Sequence, residues 1–169
     1  FGADTLPAQH NGSVSVTGLY AKKDFRIGGL HLNHRVLLQF SSAQEVVPVP
    51  LASVYLSYFY EFNVVKGVLR LQIGLDGRYN TKYAGFGYNP AIGQFYNRRE
   101  YDEDGKLLKV GGYPFVDLFV AAKWKRMRIF VKMQHLNDDL IGGRNYFSVA
   151  HYPLTKRFLK LGFSWSFYD

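Results

Sequence analysis

Apolar and polar residues alternate with a period of two along most of this chain, the spacing of strands with one apolar and one polar face. Residues 158–169 show it most clearly. From Leu159 the apolar phase reads Leu159, Leu161, Phe163, Trp165, Phe167, and the other phase reads Phe158, Lys160, Gly162, Ser164, Ser166, Tyr168. Residues 68–83 set Leu69, Leu71, Ile73, Leu75 and Tyr79 against Arg70, Gln72, Gly74, Asp76 and Arg78. Residues 113–124 set Val116, Leu118, Val120, Ala122 and Trp124 against Asp117 and Lys123. Residues 127–137 set Met127, Ile129, Val131 and Met133 against Arg128, Lys132 and Gln134. Residues 52–63 place Val54, Leu56, Tyr58, Tyr60 and Phe62 opposite Ser53, Tyr55, Ser57, Phe59 and Glu61.

The N-terminal part is less regular. Residues 14–22 read as a strand with Val14, Val16 and Tyr20 on one phase, closed by a polar turn at Lys22-Lys23-Asp24. Residues 25–40 read as one long strand. Its apolar phase starts on Phe25 and Ile27 and slips by one at Gly28-Gly29. It continues as Leu30, Leu32, His34, Val36, Leu38 and Phe40, as a β-bulge at the glycines would produce. The total is seven strands.

The connections alternate in length. Short ones fall at 22–24, 63–67 and 124–126. Long ones fall at 41–51, which contains Pro48 and Pro50, at 84–112, with a candidate short strand at 92–98, and at 138–155. Short turns on one side and long loops on the other are the sequence form of a transmembrane β-barrel. With the last strand running toward the periplasm, every short connection falls there and every long one outside. Each run reaches the ~9 to 11 residues that a tilted strand needs to cross the hydrocarbon. Aromatics near strand ends (Tyr20, Phe40, Phe62, Tyr79, Trp124, Trp165, Phe167) sit where interfacial girdles sit. We therefore expect an all-β, antiparallel transmembrane barrel, with residues 1–169 as one domain. Seven strands is an odd number, and an open edge is not tolerated in lipid. The expectation is thus the C-terminal part of a larger barrel, or one completed by another copy. Phe1, with no initiating Met and no basic, apolar leader, fits a piece or a processed chain.

Composition narrows the class. The 169 residues include 17% aromatics and no cysteine, so disulfide frameworks and thiolate metal sites are excluded. No run approaches the ~18 to 20 apolar residues of a spanning helix. The net charge of +8 and a pI near 9.6 could suit nucleic acid, but the cations are spread over strands and turns with no nucleic-acid fold motif. Anionic lipid headgroups or anionic solutes suit this charge equally well.

The polar phase is the expected lumen lining: Arg35, Glu61, Arg70, Gln72, Asp76, Arg78, Asp117, Lys132, Gln134, Lys160 and Ser164. Leu69, Leu71, Ile73, Leu75 and Leu118 are expected to face lipid. In lipid each Arg or Lys would cost ~2 to 4 kcal/mol near the midplane. The bland reading, weighted about equally, is that these charges pair across strands and fix register. His31, His34, His135 and His151 lack metal-ligand spacing and read as interfacial or loop histidines. His34 stands out, because it falls on the apolar phase in mid-strand. Contact with an adjacent subunit, or a second bulge that turns it inward, would explain that. Asp138-Asp139 before Leu140-Ile141-Gly142-Gly143 is a weak Ca²⁺ candidate, as is the acidic tip Asp102-Glu103-Asp104-Gly105; solvated loops are the simpler reading. No G-x-S-x-G elbow or Ser-His-Asp order occurs, and Gly85-Phe86-Gly87 lacks the context of a phosphate cradle. No enzyme, cofactor or metal is expected.

Three segments carry a family resemblance: GYPFVDLFVAAKWKRMRIFVKMQHLN (112–137), NPAIGQFY (89–96) and YFSVAHYPLTKRFLKLGFSWSFYD (146–169). Together they resemble the C-terminal end of the putative porin family of Bacteroidota outer membranes. The resemblance covers the C-terminal half in motif and the N-terminal half in pattern only. It implies an outer-membrane β-barrel with a channel role and supplies no binding residues. The expected function is a porin-like channel for passive diffusion of small solutes. Its partners would be outer-membrane lipids including lipopolysaccharide, and other outer-membrane proteins or further copies of itself, but not nucleic acid. Three other readings stay open at this point. One is a plugged barrel that serves as a structural subunit of a larger outer-membrane complex. A second is the C-terminal part of a TonB-dependent transporter. The third is a soluble lipocalin-like binder, against which Lys160, Ser164 and Ser166 on the non-apolar phase argue.

Overall fold

The computed structural model describes residues 10–97, 101, 104–140 and 147–167. Among them every regular element is a strand. In chain order these are β1 (Val16–Ile27), β2 (Leu30–Ser41), β3 (Ala52–Val65), β4 (Leu69–Asn80), β5 (Gly87–Asn89), β6 (Gln94–Tyr96), β7 (Phe115–Trp124), β8 (Met127–Gln134), β9 (Phe147–Val149), β10 (Tyr152–Pro153) and β11 (Phe158–Trp165). Seven of them form one sheet in the order β1-β2-β3-β4-β7-β8-β11, antiparallel throughout. The pairs β5–β6 and β9–β10 are separate short hairpins inside the second and third long connections. The main sheet is not closed: β1 and β11 are its two edges. It has the topology of part of an antiparallel barrel.

The short and long connections fall on opposite ends of the sheet, but the first short one is not where the polar residues suggested. Lys22, Lys23 and Asp24 lie inside β1, paired with Arg35, His34 and Asn33. The chain reverses instead at Gly28-Gly29, between the paired residues Ile27 and Leu30. Gly28 has φ +60°, the positive angle that a two-residue primed hairpin turn needs at its first position. Such a turn joins partners three residues apart, so the apolar phase changes parity by one. That is how a hairpin imitates a bulge in sequence. The first strand accordingly runs Val16–Ile27 rather than 14–22, and its phase is inverted. Leu19, Phe25 and Ile27 share a face with Leu38, Leu32 and Leu30, whereas Val16 and Tyr20 pair with Ser41 and Leu37 on the other face. The one register irregularity in the main sheet lies between Asn63 and Val65.

Backbone chemistry trims other strands. β7 starts after Pro114, which offers no N–H to a ladder. β8 stops at Gln134 because His135 adopts φ 55°. Of the predicted strand at 92–98, Gln94–Tyr96 forms, and Arg98 lies outside the described residues. Tyr168 and Asp169 lie outside them as well.

The distribution of burial is inverted relative to a water-soluble sheet. Ala43, Pro48, Val110 and Ala150 are the buried apolar side chains among the described residues, while Ser41, Ser57, Asp117, His135, Asn137 and Asp138 are buried polar ones. Leu161 and Phe163 are 71% and 76% exposed. Among the described residues no second layer covers the apolar face, so the sheet buries polarity and displays hydrocarbon. On the polar face, aromatic rings fill the space above glycines. A Cβ at Gly74 would lie 2.4 Å from both Phe59 Cβ and Tyr58 O, and one at Gly162 would strike the Phe130 ring. A Cβ at Gly77, on the opposite face of the same strand, would meet only Leu56 Cβ at 3.8 Å, an ordinary contact. Gly74→Ala is therefore expected to cost about 1–3 kcal/mol through overpacking. Gly77→Ala should be close to neutral. Denaturant midpoints of the refolded protein in detergent check the contrast, and equal effects would contradict it.

Candidate functional site: the polar face of the sheet

Direct cross-strand partners share a face, so the register alone assembles the polar face. All eleven predicted lumen residues lie on it. Arg35 pairs with Tyr55, Tyr55 with Arg78, and Arg78 with Phe115. Glu61 pairs with Gln72, Asp76 with Asp117, Lys132 with Lys160, Gln134 with Phe158, and Arg128 with Ser164. Arg70 lies opposite both Asn63 and Lys123. Leu69, Leu71, Ile73, Leu75 and Leu118 lie on the apolar face.

Toward the long-loop end, cations and carboxylates are matched. Asp117 is fully buried and accepts from Arg78 Nη2 at 3.0 Å, Lys132 Nζ at 3.1 Å and the backbone N–H of His135 at 3.0 Å. Lys132 also reaches Asp76 at 2.8 Å, and the Tyr55 hydroxyl donates to Asp76 at 3.4 Å. The Arg78 guanidinium lies 4.6 Å from the centroid of the Phe115 ring, and that ring stacks on His135 at 4.6 Å. Arg35 approaches the Tyr55 ring at 5.4 Å.

This network continues into a buried knot beyond the strand ends. His135 Nδ1 meets the Thr155 carbonyl at 2.6 Å; that oxygen can only accept, so Nδ1 carries the proton. Nε2 lies 2.8 Å from the Tyr113 hydroxyl. Asn137 accepts from the Val116 N–H at 3.0 Å and donates to the Pro114 carbonyl at 2.6 Å. Asp138 accepts from the Arg157 N–H at 2.9 Å, and the Arg157 guanidinium donates to the Asp138 carbonyl at 2.8 Å. His135 is thus a buried anchor that ties the third long connection to β7 and β8. Its role was missed in sequence because spacing gives no sign of it. The Asp138 carboxylate is engaged by Arg157, and among the described residues no cluster of metal ligands occurs. Ile141, Gly142, Gly143, Asp102 and Glu103 lie outside the described residues.

The middle of the face is aromatic. His31 stacks on Phe59 at 4.6 Å, and Phe59 leans on Phe119 at 6.2 Å. Toward the short-turn end Gln72 donates to Glu61 at 2.6 Å, and Arg70 lies 3.5 Å from the same carboxylate. Arg70, Lys123 and Arg128 then stand side by side on β4, β7 and β8. Lys123 and Arg128 have no carboxylate partner among the described residues.

His34 stays on the apolar face. No bulge turns it inward, since β2 pairs with β3 without interruption. Its Nε2 lies 2.8 Å from the Tyr58 hydroxyl, and its Nδ1 lies 3.3 Å from the Lys23 carbonyl oxygen. Its polarity is therefore satisfied locally.

A continuous antiparallel sheet with one bare apolar face and one charged, polar face defines strands of the membrane-barrel class. The chain belongs to the putative porin family, whose sequence model matches residues 1–169. No curated protein and no solved structure matches the chain.

Two outcomes follow from this geometry. Asp117→Ala should destabilise the fold by about 3 kcal/mol, because it strips a buried hydrogen-bonded charge from Lys132 and the His135 N–H. Asp24→Ala removes only the exposed contact to Lys22 and should cost under about 1 kcal/mol. Chemical unfolding of both variants makes the comparison. The second outcome concerns Tyr113, whose phenol is pushed above its ordinary value by burial, then by Asp138 and Asp139. The unfolded state loses this proton first. Its share of stability is therefore complete below the ordinary tyrosine range and falls as pH rises through the raised value. Tyr113→Phe should flatten the alkaline limb of the stability profile; an unchanged slope would contradict the assignment.

Proposed function

We propose that this chain forms part of an outer-membrane β-barrel through which small solutes diffuse passively, with the polar face as lumen and the apolar face against lipid. One observation carries this reading: the charges gather on one face, where Asp117 is buried and paired with Arg78 and Lys132, while the other face displays uncovered aliphatic and aromatic side chains. Water on that apolar face would leave a large hydrophobic penalty unmet, whereas acyl chains meet it. The reverse orientation would put Arg70, Arg78, Lys123, Arg128 and Lys132 in hydrocarbon. The open edges β1 and β11 need partners in a bilayer, supplied by further strands of the same barrel or by another copy. Lipopolysaccharide and phospholipid are then the partners of the apolar face. The short turns at Gly28-Gly29, residues 66–68 and Lys125-Arg126 face the periplasm, and the long connections face outward.

The long connections also support a second reading, a narrowed or plugged barrel within a larger complex. They touch one another: the Asn97 side chain donates to the Glu45 and Val46 carbonyls, and the Tyr88 and Tyr152 rings meet edge-on at 5.6 Å. Residues Phe147, Ser148 and Thr155 line a concavity together with Arg78 and Asn80 at that end of the polar face. Reconstitution of the whole protein into planar bilayers separates the two. The channel reading predicts stepwise conductance that tracks solution conductivity. A sealed bilayer, with co-purification of other outer-membrane proteins, would contradict it in favour of the plugged subunit.

A further inference from the structure

The cations of the polar face are not distributed like its carboxylates. At the long-loop end Asp76 and Asp117 answer Arg78 and Lys132. At the short-turn end one row of facing residues runs Asn63, Arg70, Lys123, Arg128, Ser164 across β3, β4, β7, β8 and β11. Among the described residues Glu61 is the one carboxylate beside that row, and it is already engaged by Gln72 and Arg70. Facing side chains on adjacent strands lie about 4.5–5.5 Å apart at Cβ, where like charges repel. At the long-loop end like charges also face each other directly (Asp76 and Asp117, Lys132 and Lys160), but there Arg78 and Lys132 reach the carboxylates, whereas Lys123 and Arg128 meet none among the described residues.

We propose that Arg70, Lys123 and Arg128 form a binding row for small oxyanions bearing two or more negative charges, with the Asn63 amide and Ser164 hydroxyl at its flanks. The chemistry fits the geometry. Two guanidinium forks offer paired N–H donors to phosphate or carboxylate oxygens, and the ammonium between them adds a point charge. All three side chains are exposed on the polar face, and they line one concavity with Glu61, Gln72 and Phe130. The next row toward the long loops is Glu61, Gln72, Ala121, Phe130 and Gly162, so the aromatic ring of Phe130 flanks the cations on that side. A weak, exposed, multi-cation site of this kind selects an ion without trapping it, as passage requires. The row deepens the channel reading and rests on it for its biological use, but not for its binding.

The test uses the whole protein in detergent, with pyrophosphate as probe, by titration calorimetry at low ionic strength. The unsubstituted protein should bind pyrophosphate more tightly than it binds chloride. The double variant Lys123→Gln/Arg128→Gln should lose at least tenfold in affinity. It should fold normally, because the mutual repulsion leaves with the charges. A control, Lys66→Gln/Lys156→Gln, removes the same charge from a turn and a loop and should stay within twofold. Arg128→Lys should retain more binding than Arg128→Gln. Absence of pyrophosphate binding, or an equal loss in the control, overturns the row. The same preparations in planar bilayers keep the two ideas apart. Binding without conductance sinks the channel and leaves the row, whereas conductance without binding sinks the row and leaves the channel.

Discussion

Everything in this sheet depends on register. A shift of one residue in any strand pair would carry its charges onto the apolar face and its leucines onto the polar one. Seven strands in continuous antiparallel pairing keep all charges but Lys23 on one side. Asp117 is the strongest single pin: one buried carboxylate reaches β4 through Arg78, β8 through Lys132 and the end of β8 through the His135 N–H. The close approach of β3 at Gly74 and of the Phe130 ring at Gly162 adds a steric pin, because a Cβ at either glycine would clash. Lys23, the exception, pairs with His34 on the apolar face and rests beside the Phe25 ring at 5.3 Å.

Much of this was readable in the sequence, because period-two alternation is a property of each strand alone. The seven strands, the division of Leu69 to Leu75 from Arg70 to Arg78, and the opposite ends of short and long connections all follow from it. The first hairpin was not readable in the same way. Lys22, Lys23 and Asp24 look like a turn because they are charged, yet on a sheet with a polar face Lys22 and Asp24 are ordinary strand residues. Gly28-Gly29 looked like a bulge because a two-residue turn and a bulge shift parity identically. The arrangement at His135 was also hidden. Its partners Tyr113, Asn137 and Thr155 come together only after β7, β8 and β11 have paired, and no local spacing encodes that.

The polar face divides into tiers with different physics. The long-loop tier sets Asp76 and Asp117 against Arg78 and Lys132 and continues into a knot of buried hydrogen bonds, so it behaves as structure. The central tier is made of aromatic rings. The short-turn tier carries unanswered positive charge. The family assignment is consistent with transport across a membrane but says nothing about this division, which comes from residue positions and distances alone.

The central claim is that the two faces meet different solvents. The chain contains no cysteine, so single cysteines can be placed at will. The direct measurement is fluorescence of a thiol-linked dye at Leu161→Cys, Ile73→Cys, Gln72→Cys and Ser164→Cys in reconstituted protein, quenched by nitroxide-bearing lipid or by iodide in the water. The account predicts lipid quenching at Leu161 and Ile73 and iodide quenching at Gln72 and Ser164. Lipid quenching at Gln72 and Ser164, or iodide quenching at all four, would contradict it.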